Sequence, residues 1–123
     1  MRILFIYPNL DAQIGFNYGL AFISSLLKQH GHITSLINLN EKLGQSLDLQ
    51  KIREVVEEFK PGLIGFSVVT NQYGFAQEIA RSIKGYSPVP LVCGGIHATM
   101  APEEVLASGC FDYVCIGEGE YAV

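Results

Sequence analysis

Two glycine-rich segments near the end of the chain have the residue types and spacing best suited to binding. The first is Gly-Gly-Ile-His at residues 94–97, and the second is Gly-Glu-Gly-Glu at residues 117–120. Each follows a run of apolar, β-prone residues, at the point where a strand is expected to end. Ligands of open parallel sheets bind outside the carboxyl ends of the strands, and glycine lets a ligand approach the backbone there. The pattern predicts an edge shaped for a large ligand.

The titratable residues of these segments allow more than one interpretation. Glu118 and Glu120 have the appearance of a general acid and base pair. The prediction we prefer is that they open a following helix, where acidic residues suit the helix dipole. His97 either contacts a bound ligand or caps the turn that follows it, and the sequence leaves both possibilities open. No catalytic residue is predicted within the chain.

The three cysteines are Cys93, Cys110 and Cys115, an odd number without a C-x-x-C pair. Cys93 and Cys115 lie within strand patterns, and free cysteines in such positions usually behave as small buried apolar residues. Their spacing does not match that of a zinc or cluster site. No metal ligand is therefore predicted.

Strand and helix patterns alternate strictly along the chain. Continuous apolar runs at Arg2–Tyr7 and Leu63–Val69 predict strands buried on both faces. Ile33–Leu39 is interrupted by polar residues and predicts an outer strand, whereas Leu91–Cys93 and Tyr113–Ile116 predict two shorter strands. Helices are expected between consecutive strands.

Capping and breaking residues set the expected limits of these helices. Gly31 ends the first helix, Asp48 caps the second, and Pro61 follows it. Gly85 ends the third, and Pro102 fits the first position of the fourth. The resulting fold class is α/β, a doubly wound five-stranded parallel sheet in the flavodoxin-like order 2-1-3-4-5 with helices on both faces. In that order the loops after Tyr7 and Val69 flank the ligand.

Composition limits the possible partners. The chain has 123 residues, 49% hydrophobic and 16% charged, against roughly 25% charged in an average soluble domain. The low charge predicts a sheet covered on both faces or an apolar surface that a partner covers. A net charge of -4 argues against nucleic acid as a partner. No apolar run reaches the roughly 20 residues of a membrane span, and no signal-peptide pattern is present, so a cytoplasmic location is predicted.

Several common ligands of such sheets lack their sequence patterns here. The loop after the first strand, residues 8–15, does not match the G-x-G-x-x-G of dinucleotide-binding folds, and no Walker A loop occurs. That loop also lacks the hydroxyl side chains of a flavodoxin phosphate loop. The third strand does not end in the aspartate of a phosphoacceptor receiver. None of these four classes is supported.

The chain resembles the cobalamin-binding domain at the front of B12-dependent radical S-adenosylmethionine (SAM) proteins. The resemblance rests on Gly94-Gly95-x-His97-Ala98 and on segments 102–104, 112–114 and 117–120, with residues 60–67 at the entry to the third strand. It extends over nearly the whole chain. It implies that residues 1–123 form a cobalamin-binding, Rossmann-like domain, a fragment of a protein in which a radical SAM barrel follows. That barrel would bring a 4Fe-4S cluster, S-adenosylmethionine and a small-molecule substrate.

The resemblance also implies a set of cofactor-binding residues. Ser67 would hydrogen-bond the nucleotide tail of cobalamin, the two adjacent glycines would make room for that tail, and the residues after the third strand would lie beside the corrin. The full set is Ser67, Val69, Thr70, Gly94, Gly95, His97, Gly117, Glu118 and Gly119.

One departure bears on the mode of binding. Cobalamin domains of the mutase and methionine-synthase kind carry D-x-H-x-x-G after the first strand, and its histidine is the lower ligand of cobalt. This chain has Asp11-x-Gln13-x-x-Phe16 instead. The resemblance therefore implies base-off binding without a protein histidine ligand. The alternative is a domain that has lost the cofactor and serves in docking or substrate positioning. The parent reaction would be a methyl transfer, or an oxidation or cyclisation, with no turnover by the fragment alone.

Overall fold

The computed structural model describes residues 1–10, 18–40 and 48–115. The described residues form five strands and five helices, which alternate as the sequence predicts except that two helices lie between the fourth and fifth strands. The strands are β1 (Arg2–Pro8), β2 (Ile33–Leu39), β3 (Leu63–Ser67), β4 (Leu91–Gly94) and β5 (Tyr113–Val114). The helices are α1 (Tyr18–Gln29), α2 (Leu49–Phe59), α3 (Tyr73–Lys84), α4 (Ile96–Met100) and α5 (Pro102–Ala107).

All strand pairs are parallel, and the strand order is β2-β1-β3-β4-β5. The predicted fold class and strand order are therefore confirmed. β1 occupies the centre beside β3, as its continuous apolar run requires, because a strand with neighbours on both sides and helices above and below meets little water. The carboxyl ends of β1, β3 and β4 consequently lie side by side at one edge of the sheet.

One face of the sheet carries the main core. Buried side chains alternate along β3, where Ile64 and Phe66 are buried and the residues between them are only half-buried. The apolar stripes of α2, α3 and α5 pack on this buried face. The core residues of the central strands β1, β3 and β4 and of these three helices are Leu4, Ile6, Ile52, Val56, Ile64, Phe66, Ala76, Ile79, Ala80, Ile83, Leu91, Cys93 and Val105.

The other face of the sheet is covered on the side of β2. Ser24 of α1 and Thr34 of β2 lie with their hydroxyl oxygens 2.6 Å apart, and Thr34 is the register partner of Ile3. α1 therefore lies over β1 and β2. Along β3 and β4, the residues that point to this face stay half-exposed in the described part of the chain.

Three local details differ from the sequence prediction. β3 ends at Ser67 rather than Val69, because the chain then enters a 3-10 turn at Thr70–Gln72. A short helix, α4, precedes the helix that begins at Pro102. The structure describes only Tyr113–Val114 as β5.

The predicted cap of α2 is present: the Asp48 carboxylate accepts hydrogen bonds from the backbone N–H groups of Gln50 and Lys51. No helix among the described residues is long and apolar enough to cross a bilayer.

Asp112 attaches β5 to its neighbours. Its carboxylate accepts a hydrogen bond from the backbone N–H of Leu91 at 2.8 Å and one from Lys84 at 3.0 Å. Its own N–H donates to the Leu91 carbonyl at 2.8 Å. The bond from the Leu91 N–H, helped by the Lys84 ammonium, lowers the pKa of Asp112 below its usual value. A carboxyl whose pKa is lower in the folded than in the unfolded chain stabilises the fold above its unfolded pKa, and this contribution disappears as the pH falls through the folded pKa.

We expect the Asp112→Asn variant to lose stability at neutral pH and to show a shallower loss below pH ~4, the usual pKa of aspartate. Urea unfolding at a series of pH values measures both effects. Glu103→Gln is the control, since Glu103 is exposed on α5 and has no such bonds in the structure. Parallel stability curves for Asp112→Asn and the wild type would contradict the role assigned to this carboxylate.

Candidate functional site

Ser67 and Gly94 lie side by side at the carboxyl edge of the sheet. They are partners in the register between β3 and β4, so both point to the half-exposed face. Cys115 continues the same row, because Cys93 and Val114 are partners one step earlier and the Cys115 N–H donates to the Cys93 carbonyl at 2.9 Å. The half-exposed surface around Ser67, Gly94 and Cys115 is called the Ser67–Gly94 surface below.

Gly94 is a glycine that the fold itself does not require. Its backbone φ is not positive. A Cβ at this position would lie 3.5 Å from the Cys115 Cβ and 3.7 Å from the Phe66 carbonyl oxygen, which are ordinary contact distances. Gly65, two residues before Ser67 on the same face, is different, since the Phe5 ring lies 3.2 Å from its Cβ position. Within the part of the chain that the structure describes, a Cβ at Gly94 would meet no contact shorter than 3.5 Å.

Gly95, by contrast, is required by the fold. Its φ is +96°, and a Cβ would lie 2.8 Å from both the backbone N and O of Val68. The chain holds Val68 tightly, because the Val68 N–H donates to the Gly94 carbonyl at 3.0 Å and the Val68 carbonyl accepts from the His97 N–H at 3.1 Å. The sequence prediction gave both glycines one role. The structure separates a position that faces the Ser67–Gly94 surface from one that faces the chain's own backbone.

Thr70 and His97 meet at the same edge of the sheet. His97 is 5% exposed, and its Nδ1 lies 3.3 Å from the Thr70 hydroxyl oxygen. Its ring packs against Tyr73, with the ring centroids 4.1 Å apart. Its Nε2 is buried without a hydrogen bond and lies 3.7 Å from the Glu104 carboxylate. Thr70 is exposed, and its neighbour Val69 is half-buried. His97 is thus buried at this edge of the sheet, whereas Thr70 is exposed there.

Two buried amide side chains, those of Gln72 and Asn40, bind the residues that follow β1. Gln72, 1% exposed, accepts a hydrogen bond from the Leu10 N–H at 2.9 Å and donates to the Leu10 carbonyl at 2.7 Å. Asn40, which follows β2, donates to the Asn9 carbonyl at 2.8 Å. Asn9 and Leu10, the described residues that follow β1, are therefore bonded on both sides. Gln72 connects Leu10 directly to the segment after β3.

Sequence reasoning missed this role of Gln72, although a signal was present. Gln72 precedes Ala76 by four residues and Ile79 by seven, which places it on the buried stripe of α3. A polar residue at such a position requires hydrogen-bond partners. The loops after Tyr7 and Val69 were expected to flank a ligand, and the structure shows them bonded to each other at Leu10 and Gln72.

Several predicted residues lie outside the described part of the chain. Gly117, Glu118 and Gly119 are among them, and so is the loop with Asp11, Gln13 and Phe16. Their roles stay predictions. Of the predicted cofactor-binding residues, the structure brings together Ser67 with Gly94 and Thr70 with His97.

The described cysteines are consistent with packing roles. Cys93 and Cys110 are buried and Cys115 is half-buried. Burial raises the pKa of Cys93 to about 12, so it is a neutral thiol at physiological pH, whereas the thiolate is the form that ligates metals. Within residues 1–10, 18–40 and 48–115, no three His, Cys, Asp or Glu residues are grouped to hold a metal ion.

Comparison with known families decides the assignment. The family model described as the B12 binding domain matches residues 11–123, which include all the strands after β1 and the predicted cofactor-binding residues. The chain belongs to the B12-binding domain family. The resemblance that the glycine segments indicate is confirmed at the level of the family.

Relatives of this B12-binding domain include far longer proteins. One is the uncharacterized methyltransferase PH0819 of Pyrococcus horikoshii, 29% identical over 129 residues that cover 98% of this chain and 27% of the relative. The chain therefore spans about a quarter of that protein's length.

Solved structures share the fold of this B12-binding domain. The radical SAM methyltransferase TsrM from Kitasatospora setae, solved with cobalamin and a [4Fe-4S] cluster, superposes with a TM-score of 0.85 at 22% identity, over 98% of this chain and 23% of TsrM. TsrM with tryptophan and a SAM analogue gives a TM-score of 0.84, also at 22% identity, over 98% of this chain and 24% of TsrM. The cobalamin-dependent radical enzyme OxsB with aqua-cobalamin gives 0.74 at 20% identity, over 98% of this chain and 17% of OxsB. At these identities the likeness establishes the fold.

Proposed function

We propose that this chain is the cobalamin-binding module of a radical SAM enzyme and that it holds the cofactor base-off, without a protein histidine on cobalt. The observation that carries the proposal is the Ser67–Gly94 surface. The Ser67 hydroxyl lies opposite Gly94, which has no side chain, in the register between β3 and β4. Both residues are half-exposed at the edge where parallel sheets bind ligands. Membership of the B12-binding domain family names the ligand.

The residues present fit the proposed cofactor. Cobalamin combines a wide corrin plate with a long nucleotide tail, and a tail that runs along a sheet needs a position without a side chain. Gly94 supplies that position, since the fold tolerates a Cβ there and yet none is present. Ser67 would bond the tail from the adjacent strand. Val69 and Thr70 lie just beyond the end of β3, where the edge of the corrin would rest.

The location of the histidines supports a histidine-free site. The sequence contains three histidines, and all lie in the described part of the chain. His30 follows α1, and His32 precedes β2, so both lie at the amino-terminal edge of the sheet, opposite the proposed site. His97 packs against Tyr73 with its Nδ1 on Thr70. The loop after β1 offers Gln13 in place of a histidine.

When bound, cobalamin supplies a cobalt centre that carries and transfers a methyl group. The residues of this chain would bind and orient the cofactor: Ser67 would hold the tail, Gly94 would leave it room, and Val69 and Thr70 after β3 would lie beside the corrin. We assign no proton transfer or nucleophile to the chain. The surrounding cytoplasmic protein would add a barrel with a 4Fe-4S cluster and S-adenosylmethionine, and would act on a small molecule by methyl transfer, oxidation or cyclisation.

An anaerobic titration of the protein at its natural full length with cobalamin tests the proposal. We expect cobalamin to be retained through gel filtration. The electron paramagnetic resonance spectrum of its Co(II) form should show no nitrogen superhyperfine splitting, because neither a histidine nor the cofactor's own base would bind cobalt. Splitting from one nitrogen would contradict the base-off, histidine-free mode. Failure to retain cobalamin would contradict the binding function and favour a docking or substrate-positioning domain.

A further inference from the structure

The Thr70 hydroxyl contacts one nitrogen of the buried His97 imidazole, and the Glu104 carboxylate lies near the other nitrogen. Thr70 Oγ1 lies 3.3 Å from His97 Nδ1, and Glu104 Oε1 lies 3.7 Å from His97 Nε2. The three residues thus form a line in which the buried imidazole of His97 connects two exposed side chains, those of Thr70 and Glu104. Thr70 and His97 are 27 residues apart in sequence, and α5 contributes Glu104.

The carboxylate selects one form of the imidazole. A neutral histidine has one nitrogen that donates and one that accepts. With the hydrogen on Nε2, the N–H dipole points at the Glu104 carboxylate, and this buried nitrogen has no other partner. With the hydrogen on Nδ1, the Nε2 lone pair would instead face that carboxylate, which is electrostatically unfavourable even though the Glu104 side chain is exposed. The geometry therefore favours the Nε2–H form, in which Nδ1 is an acceptor.

The state of His97 determines what Thr70 can offer. If Nδ1 accepts, the Thr70 hydroxyl donates its single hydrogen inward to His97, and its oxygen lone pairs are left for a donor outside the protein. The backbone at Thr70 is fixed as well, because the Thr70 carbonyl accepts from the Tyr73 N–H in the 3-10 turn. Thr70 therefore presents a fixed acceptor at the exposed rim.

We propose that His97 is a positioning residue, which acts through Thr70 to present a hydrogen-bond acceptor to a carboxamide N–H of the bound corrinoid. The chemical class fits, since the rim of a corrin carries primary amide side chains. This inference rests on the proposed function and deepens it. It differs from both interpretations of His97 that the sequence leaves open, because His97 would support the cofactor site without touching the cofactor.

A double-mutant cycle on the full-length protein tests the inference, with the dissociation constant of cobalamin measured by absorbance. Thr70→Val removes the hydroxyl at nearly constant shape, and we expect about a fivefold loss of affinity, as for one hydrogen bond. His97→Phe keeps a ring against Tyr73 and removes both nitrogens, and should cost a similar factor. The double variant should bind no more weakly than Thr70→Val alone. If the loss of affinity in the double variant equals the product of the two single losses, His97 acts independently of Thr70 and the inference is overturned.

Two conservative variants separate positioning from a structural role. Asparagine can place its amide oxygen near the position of Nδ1, so His97→Asn should recover affinity relative to His97→Phe. Thr70→Ser should bind as the wild type does. If His97→Asn binds as weakly as His97→Phe while the melting temperatures of the two agree, the acceptor at Nδ1 has no role and the inference is wrong.

A measurement without cobalamin separates this inference from the proposed function. In protein labelled with ¹⁵N-histidine, the nitrogen shifts report which imidazole nitrogen carries the hydrogen. We expect Nε2–H for His97, a changed Nδ1 shift in Thr70→Val, and a larger share of Nδ1–H in Glu104→Gln than in the control Glu103→Gln. An Nδ1–H form in a wild-type protein that binds cobalamin would overturn the inference alone. A wild-type protein that binds no cobalamin would overturn the proposed function and the inference with it.

Discussion

Replacement of Gly94 by valine is expected to weaken cobalamin binding up to about a hundredfold, while the stability of the fold changes little. Extra side-chain atoms forced into an occupied site cost about 1–3 kcal/mol, and each 1.4 kcal/mol is a factor of about ten in affinity. The fold accepts the first carbon at ordinary contact distances, 3.5 Å from the Cys115 Cβ and 3.7 Å from the Phe66 oxygen. Position 94 ends a strand without a positive φ, so a β-branched residue suits its backbone.

Cobinamide, which lacks the nucleotide tail, makes this test specific. If Gly94 faces the tail, Gly94→Ala and Gly94→Val should weaken cobalamin binding in a graded series and leave cobinamide binding at the wild-type level. Gly74→Ala is the matched control, since Gly74 is exposed on α3 with nothing within 4 Å of its Cβ position. Equal losses for cobalamin and cobinamide would place Gly94 at the corrin instead. Unchanged binding of both would contradict a role of the Ser67–Gly94 surface.

The sequence predicted the architecture because apolar runs report burial directly. The continuous apolar runs Arg2–Tyr7 and Leu63–Val69 predicted two central strands of a parallel sheet, and β1 and β3 are indeed neighbours there. Burial on both faces was predicted for β3 as well, but in the described part of the chain Leu63, Gly65 and Ser67 stay half-exposed. Asp48 predicted the start of α2 because the need to satisfy free N–H groups at a helix start is local. Strand order followed from connection rules that apply to the whole fold class.

The details of the site depend on register, which periodicity does not report. That Ser67 is opposite Gly94 follows from how β3 and β4 align, and the two residues are far apart in sequence. The same holds for His97 and Thr70, whose contact arises only after two loops reach one edge. Adjacent glycines look alike in a sequence, and only the position of the Val68 backbone distinguishes the role of Gly95 from that of Gly94.

Replacement of Gly95 by alanine is expected to destabilise the fold by about 3 kcal/mol or more, a large part of the ~5–15 kcal/mol that stabilises a typical domain. Two costs combine. The backbone, at φ +96° and ψ -169°, lies in a region that is essentially restricted to glycine, and strain of this kind costs about 1–3 kcal/mol. The new Cβ would also lie 2.8 Å from the Val68 N and O. Those atoms are held by hydrogen bonds to Gly94 and His97, so relief requires the end of β3 and the start of α4 to separate.

Gly31→Ala is the control for a positive φ without a steric contact. Gly31 has a φ of +85° but nothing within 4 Å of its Cβ position, so its replacement costs only the strain of a left-handed residue, about 1–2 kcal/mol. Urea unfolding of both variants gives the difference, which combines the contact with Val68 and the greater strain of the backbone at Gly95. Equal losses would show that the end of β3 yields to the new side chain. Val68 directly follows Ser67, and its carbonyl accepts from the His97 N–H, so a larger loss at Gly95 would show that the junction between the end of β3 and the start of α4, beside the proposed cobalamin site, resists a new side chain.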